Sequence, residues 1–318
     1  MEHMPFAWGS RRRFHSWTDH CHRKYGGRLQ KVAVNAGFSC PNRDGTIGMG
    51  GCSFCNNEGF NPAYCHPQKP IHQQLEEGLG FLKRRYKNPK IFLAYLQAYS
   101  NTHASLAVLK KVYSQALGHP EISGLVIGTR PDCVDGEKLD YLADLARYHI
   151  IKLEFGLESC YDETLRRIRR GHNFAQSQTA VRMAAERGIE TGAHFILGLP
   201  GESREQMLDQ ACMINALPLN TVKFHQLQIV RETGMALEYA ADPESFELFS
   251  LEEYLAFIPR LVERLRPDLM IERFSGEVPP SFNAGPGWGK LRTDQVLNMI
   301  EDRLEKLDTW QGKAYPGC

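Results

Sequence analysis

The 318-residue sequence predicts an α/β protein whose parallel sheet curves into a partial barrel. Short apolar runs typical of buried strands alternate with longer segments in which apolar residues recur at helical spacing. Strands separated by single helices form βαβ units, and such units build a parallel sheet. Six strands are predicted, fewer than the eight of a closed barrel. The expected fold is therefore a partial (β/α)6 barrel with a small C-terminal helical region.

Each predicted strand is a short run rich in β-branched or aromatic side chains, which favour extended backbone. A segment of different composition follows every strand: a cysteine-rich loop, then QAYSNT, TRPD, GLES, GLPGE and QLQIVRETG. In parallel α/β proteins, ligands gather at the carboxyl ends of the strands. The strands are KVAVN (31–35), IFLAY (91–95), GLVIG (124–128), IKLEF (151–155), AHFIL (193–197) and VKFHQL (222–227).

Helix signals lie between the strands. SLAVLKKVYSQAL carries apolar residues on one helical face. Ser203 with Gln206, and Ser250 with Glu253, have the spacing of capping boxes at helix starts. Gly188 follows VRMAAER and fits a glycine that ends a helix.

Three regions are expected along the chain. Residues 1–30 form a basic N-terminal extension, 31–244 the partial barrel, and 245–318 a C-terminal helical region that closes the barrel. The last region contains the helical patterns LEEYLAFIPRLVERL and QVLNMIEDRLEKL, separated by the Gly/Pro-rich loop GEVPPSFNAGPGWGK. We expect these helices and this loop to cover the mouth of the barrel.

Cysteine usage and the lack of apolar segments indicate the compartment. Nine cysteines are too few for a disulfide scaffold in a chain of this length, and three of them bunch together, which is typical of metal binding in a reducing compartment. MEHMPFAWGSRRR lacks the apolar stretch of a signal peptide, and no window approaches eighteen consecutive apolar residues. We expect a cytoplasmic protein with no membrane partner.

The distribution of charge along the chain indicates what kind of partner the protein could bind. With 38 Lys and Arg against 37 Asp and Glu, the net charge of +1 argues against a protein that binds polyanions over its whole surface. Basic residues are nevertheless clustered at 11–31, 83–90 and 166–170. We expect the first two clusters to contact nucleic-acid phosphates through Arg11, Arg12, Arg13, Lys83, Arg84 and Arg85.

The stretch CPNRDGTIGMGGCSFC supplies three thiols, from Cys40, Cys52 and Cys55. Soft thiolates bind zinc or an iron–sulfur cluster. A structural zinc site would recruit Cys65 or His66 as a further ligand, and the thiols alone do not decide between the two. The position after the first strand and the glycine-rich backbone, whose amides can approach cluster sulfides, favour the cluster.

This stretch resembles the cluster loop of radical S-adenosylmethionine (SAM) enzymes, in which three cysteines bind a [4Fe–4S] cluster and SAM takes the open iron. The long first gap is similar to the elongator catalytic-subunit branch, and nearly the whole chain resembles the YhcC/YtqA-type family. The resemblance implies Cys40, Cys52 and Cys55 as cluster ligands and SAM as cosubstrate. It also implies an electron donor such as flavodoxin or ferredoxin, and a 5′-deoxyadenosyl radical that abstracts a hydrogen from the substrate.

Further segments resemble the same family strand by strand. QAYSNT occupies the place of the motif that meets the SAM amino group, TRPD resembles the third-strand segment, and LEFGLES with RRGH resembles the fourth-strand motif. HFILGLPGE resembles the segment that lies along the adenosine. The resemblance implies SAM binding by Phe54, Gln97, Ser100, Glu158, Arg170, His194 and Gly198.

The substrate is less constrained. The elongator likeness and the basic clusters favour RNA, with a tRNA wobble uridine as the concrete expectation. One alternative is a radical SAM enzyme that acts on a small metabolite such as a tetrapyrrole. An alternative of another class is a non-enzymatic, zinc-stabilised RNA-binding module. The sequence does not indicate an oligomeric state.

Overall fold

One curved sheet of parallel strands organises the chain. The computed structural model describes residues 6–86 and 89–315. Within them the strands are β1 (Leu29–Val34), β2 (Ile91–Leu96), β3 (Ile122–Thr129), β4 (Ile150–Glu158), β5 (Glu190–Leu197), β6 (Thr221–Gln226) and β7 (Met270–Arg273). They pair in sequence order, every pair parallel. Lys31 of β1 forms an ion pair with Glu272 of β7, so the outermost strands approach each other and the sheet forms the predicted partial barrel.

Helices connect the strands and cover the outer face of the sheet. Apolar residues of the helices and of the outward strand positions form one large buried core between the two layers. Among the described residues, every helix is too short or too polar to cross a lipid bilayer. The helices are α1 (Trp17–Tyr25), α2 (Ile71–Arg85), α3 (Leu106–Leu117), α4 (Gly136–Ala146), α5 (Asp162–Arg167), α6 (Phe174–Glu186), α7 (Arg204–Asn215), α8 (Gly234–Ala241), α9 (Leu251–Arg264) and α10 (Thr293–Lys306).

The local signals for helix ends are confirmed. Ser203 with Gln206 caps α7, and Ser250 with Glu253 caps α9, each as a reciprocal capping box. Gly188 lies just beyond α6 with a φ of 72°, the left-handed conformation that glycine adopts without steric cost.

All six predicted strands are present, and the structure adds a seventh. β7 pairs with β6 through the partners Thr221 with Met270 and Lys223 with Arg273. Its four residues lie in the region predicted to be helical. So short a run carries no readable alternation, and only the pairing with β6 makes it a strand.

The barrel interior holds a layer of buried charges. The Glu154 carboxylate lies 2.6 Å from the ammonium groups of both Lys31 and Lys223. Glu272 lies 2.9 Å from Lys152 and 3.1 Å from Lys223. Burial opposes ionisation of Glu154, but Lys223 and Lys31 hold the pKa of that carboxyl well below its ordinary value. Opposite charges thus compensate one another inside the barrel.

Helix α1 closes the amino end of the barrel. Trp17 and Cys21 of α1 pack against inward-facing apolar residues that include Leu29 and Val126. The ammonium groups of Lys31 and Lys152 each lie 4.7 Å from the centre of a Trp17 ring, within range of a cation–π interaction. Part of the predicted N-terminal extension therefore forms the base of the barrel, beneath the charged layer.

The Gly/Pro-rich loop pairs with the segment that follows β6. The Arg231 amide donates to the Phe282 carbonyl at 2.7 Å, and the Ala284 amide donates to the Ile229 carbonyl at 2.8 Å. These bonds hold the loop along one wall of the barrel mouth.

We expect Glu154→Gln to destabilise the fold because it leaves buried lysines without a compensating charge. Breaking a buried ion pair costs about 3–5 kcal/mol. Denaturant unfolding followed by circular dichroism at pH 7 measures the loss. Glu247→Gln is the matched control, because Glu247 is exposed. Equal unfolding free energies for the two variants would contradict the prediction.

Candidate active site

The three predicted cluster ligands lie in one loop beyond the carboxyl end of β1. The thiols of this cysteine loop (residues 40–55) line a cavity at the barrel mouth. Cys40 and Cys52 are buried, and Cys55 is partly exposed. The topology of the parallel sheet therefore brings the loop to the edge where the segments after the other strands also end.

Asn42 anchors the cysteine loop to the segment after β4. Its side-chain amide donates to the carbonyls of Arg169 and Arg170, at 2.8 Å and 2.9 Å. The Ser53 amide donates to the Ile168 carbonyl at 3.0 Å. Two segments more than a hundred residues apart in sequence thus form one rigid rim.

The three thiols are spread more widely than three ligands of a single zinc ion. Tetrahedral zinc with Zn–S bonds of about 2.3 Å brings its sulfur ligands to within about 3.8 Å of one another. Among the described residues, the three sulfur atoms are not part of a set that all lie within 4.8 Å of one another. Cys52 Sγ accepts hydrogen bonds at 3.4 Å from Asn42 Nδ2 and Arg170 Nη1. Such donors tune the sulfur ligands of iron–sulfur clusters.

The protonation of the thiols is consistent with a site that binds metal with loss of protons. Burial, together with the neighbouring Cys52, raises the pKa of Cys55 to about 11. A metal must therefore displace a proton from this thiol. Cys65, the further ligand of the zinc alternative, donates its thiol to the Ala33 carbonyl at 3.0 Å, and burial raises its pKa to about 12. Cys65 lies outside the cavity lining.

Arg170 joins the cysteine loop to β4. Its Nη2 donates to the Gly156 carbonyl at 2.6 Å and lies 3.3 Å from Glu158 Oε1. The register of β4 shifts between Gly156 and Glu158, and Glu158 has a left-handed φ of 72°. Burial raises the pKa of Glu158, although Arg170 opposes this effect. Backbone strain at a buried ion pair is typical of functional sites.

Gly156 provides the space for this ion pair. A Cβ atom at this position would come within 2.5 Å of Glu158 Oε1 and 2.6 Å of Arg170 Nη2. Both distances are shorter than real Cβ contacts allow, so any other residue would displace the pair.

Most of the predicted SAM-binding residues share the cavity with the thiols. Phe54, Gln97, Glu158, Arg170 and His194 all line it. Their assignment to SAM stays a prediction, since shared lining shows proximity and not a role.

Two of the predicted SAM-binding residues, Ser100 and Gly198, do not line the cavity. Ser100 is fully buried, and its hydroxyl lies 3.0 Å from Thr129 Oγ1 and accepts a hydrogen bond from the Arg130 amide. Gly198 has a φ of 94°, and a Cβ there would lie 3.4 Å from the Phe249 ring. Both lie near strand ends, and their assignment to SAM also stays a prediction.

Several cavity residues were not predicted. Arg130 of the TRPD motif donates to both carboxylate oxygens of Asp132, at 2.9 Å and 2.7 Å, and to the Arg170 carbonyl at 2.6 Å. The motif is visible in the sequence, but it does not reveal that the guanidinium turns back into the rim. Arg43 and Tyr99 also line the cavity.

A polar floor lies deeper in the cavity. Burial, reinforced by Lys223, lowers the pKa of His194 to about 4, and Glu154 accepts from its Nε2 at 3.2 Å. Burial and the adjacent Arg273 lower the pKa of His225 well below its ordinary value. Both imidazoles are therefore neutral at pH 7.

Comparison with known proteins agrees with this geometry. Residues 40–211 match the family model of the radical SAM superfamily, and residues 219–306 match the radical SAM C-terminal domain. The chain belongs to the radical SAM superfamily. It is an enzyme of that kind, with a [4Fe–4S] cluster and SAM as its cofactors. The alternative of a non-enzymatic zinc module is therefore set aside.

Relatives of similar length support the assignment. YhcC of Escherichia coli is 35% identical over 283 residues, which cover 87% of this chain and 89% of the relative. YtqA of Bacillus subtilis is 31% identical over 316 residues, covering 99% of this chain and 97% of the relative. The radical SAM protein thus shares nearly its full length with this group, as the sequence resemblance implied.

A solved structure shows the same fold. Archaeal Elp3 from Methanocaldococcus infernus, with an N-terminal deletion, superposes with a TM-score of 0.66 at 15% identity. The match covers 89% of this chain and 64% of the Elp3 chain. The partial barrel predicted from strand order is therefore confirmed.

We expect each of Cys40→Ala, Cys52→Ala and Cys55→Ala to abolish assembly of a stable cluster, because a [4Fe–4S] cluster needs all three thiolates once SAM takes the fourth iron. Iron content and visible absorption after anaerobic reconstitution measure the loss. Cys65→Ala is the matched control, since Cys65 is buried outside the cavity. A full cluster in any of the three variants, or a loss in the control, would refute the ligand assignment.

Gly156→Ala is expected to weaken SAM binding at least tenfold while leaving the cluster in place, because the added methyl group displaces the Glu158–Arg170 pair and not the thiols. Calorimetric titration of reconstituted enzyme with SAM, alongside iron analysis, tests this. Gly80→Ala in α2 is the control, since its nearest neighbour is the far end of a flexible arginine. Unchanged SAM affinity in Gly156→Ala would show that the pair does not position SAM.

Proposed function

We propose that this radical SAM enzyme modifies RNA, and that its substrate is a wobble uridine of tRNA. The observation that carries the proposal is the sequence similarity to Elongator complex protein 3. The protein from Danio rerio is 24% identical over 230 residues, which cover 68% of this chain and 39% of that relative. The whole relative is much longer, so its activity comes to this chain only as a proposal.

Basic side chains beside the cysteine loop support an RNA partner. Arg166 and Arg169 are exposed on the segment after β4, which the loop contacts through Asn42 and Ser53. Arg43 of the loop itself lines the cavity and donates to the Cys55 carbonyl at 2.8 Å. In this proposal these arginines hold backbone phosphates while one base enters the cavity.

The two basic clusters predicted as phosphate contacts lie farther from the cavity. Lys83, Arg84 and Arg85 end helix α2, which runs from the carboxyl end of β1 to the amino end of β2. They therefore lie at the opposite edge of the sheet from the cysteine loop. Lys83 also forms an ion pair with Glu121.

The N-terminal cluster is partly engaged within the chain. Arg12 forms ion pairs with Asp19 and Glu301, and Arg13 forms one with Asp308. Arg11 is exposed. A contact of these residues with RNA stays a prediction.

The chain's own residues hold the cofactors in place. The cysteine loop presents three thiols, and Arg170 with Glu158 forms the polar wall beside them. When bound there, the cluster and SAM would supply the radical chemistry that removes a hydrogen atom from the substrate. The segment after β6 forms one wall of the cavity, and the Gly/Pro-rich loop backs this wall through its hydrogen bonds to the segment. We further propose flavodoxin or ferredoxin as the electron donor, and the cytoplasm as the compartment.

We expect cells that lack the gene to show a missing or altered wobble uridine. Mass spectrometry of nucleosides from purified tRNA, with the gene restored as a control and with a Cys52→Ala copy as an inactive control, measures the change. An unchanged nucleoside profile would reject the RNA proposal and favour the small-metabolite alternative.

A second test separates the basic clusters. We expect Arg166→Gln with Arg169→Gln to weaken tRNA binding about tenfold and to reduce the slope of log affinity against log salt by about 2, one for each phosphate that is no longer neutralised. Arg84→Gln with Arg85→Gln removes the same charge at the far edge. Filter binding across a salt series measures both. A weaker affinity only in the second variant would place the RNA on the α2 cluster instead.

A further inference from the structure

The floor of the cavity holds a guanidinium without an acidic partner. Arg273 of β7 lines the cavity, and among the described residues no carboxylate lies within 4.0 Å of it. Its Nη2 donates to His225 Nε2 at 2.7 Å, and its buried Nε has no partner. A buried donor left unsatisfied costs free energy unless a ligand supplies the acceptor.

The carboxylates near Arg273 are committed to lysines. Glu154 and Glu272 contact three ammonium groups, those of Lys31, Lys152 and Lys223. Glu190, 3.9 Å from Lys152, brings this group to three acids against three lysines. The positive charge of Arg273 therefore has no compensating negative charge in this group. A ligand with a negative charge would compensate it.

The neighbouring imidazole, that of His225, accepts a hydrogen bond from Arg273. Because a guanidinium only donates, His225 Nε2 must accept from Arg273, so the neutral ring carries its proton on Nδ1. Gly276 faces this nitrogen, and a Cβ there would come within 2.4 Å of it. The lack of a side chain therefore lets the Gly276 backbone pack close against the Nδ1 side of the ring.

We propose that Arg273 and His225 form an oxyanion subsite in the cavity floor, which takes a carboxylate or phosphate group of the substrate. The inference rests on the proposed function only in that the substrate enters the cavity shared with SAM. Arg273 offers the planar fork of donors that suits such groups. The Cys52 thiol contacts Asn42 and Arg170 on the rim, whereas this subsite lies on β6 and β7. It is therefore separate from the place where the SAM carboxylate would meet the cluster.

The test is a titration of the reconstituted enzyme, labelled on histidine and followed by NMR at constant ionic strength. The His225 signal is assigned by its loss in His225→Asn. Inorganic phosphate and malonate are the first probes, with and without saturating SAM. We expect saturable shifts of this signal in the wild-type enzyme in both conditions.

The variants decide the role of Arg273. Arg273→Gln should raise the apparent dissociation constant at least tenfold, and Arg273→Lys, which keeps the charge but not the fork, should raise it less. Arg182→Gln, an exposed arginine on α6, should change nothing. Thermal unfolding confirms that each variant is folded, and if Arg273→Gln does not fold, the comparison with Arg273→Lys decides.

Three outcomes would overturn the proposal: no saturable shift in the wild type, equal affinities in wild type and Arg273→Gln, or loss of binding when SAM is saturating. Uridine 5′-monophosphate, compared with uridine and with malonate, distinguishes a nucleotide phosphate from a metabolite carboxylate. Deoxyadenosine formation from SAM is measured on the same samples. Failure of the radical chemistry or of the RNA proposal is therefore distinguishable from failure of this subsite.

Discussion

The buried guanidinium of Arg170 connects the parts of the active site. It donates to Cys52 Sγ and to the Gly156 carbonyl and pairs with Glu158. A buried charge is tolerated only when hydrogen bonds and an opposite charge surround it, so each of these partners is constrained in turn. The constraint accounts for the glycine at position 156, for the left-handed backbone at Glu158, and for the attachment of the cysteine loop to the fourth strand.

Charge divides the barrel into two levels. At the mouth, the thiols and the rim arginines form the cofactor level. Below it, lysines and glutamates neutralise each other, and Trp17 of α1 closes the base. A radical enzyme needs a cavity that excludes water, and a charged interior meets that need only because nearly every charge has a partner. Among the described residues of the lower level, Arg273 lines the cavity without an acidic partner, and this is why it marks the place for a substrate group.

The C-terminal region contributes residues to the site. β7 extends the barrel sheet and supplies Glu272 to the charged layer and Arg273 to the cavity floor. The loop that follows pairs with the segment after β6, which forms a cavity wall. Barrel and C-terminal region therefore share hydrogen bonds and ion pairs, and changes in either are expected to reach the same cavity.

Features that depend on local pattern could be predicted from the amino-acid sequence. Apolar runs located six strands, Ser–Gln and Ser–Glu spacings located two helix starts, and three cysteines in a glycine-rich loop indicated the cluster. Other features required the folded chain: β7 exists through its pairing with β6, Ser100 and Gly198 lie outside the cavity lining, and the α2 cluster lies at the far edge of the sheet. They could not be predicted because strand pairing, side-chain direction and the partner of a charge depend on residues far apart in sequence. Lys31 and Glu272, 241 positions apart, meet only because the sheet curls.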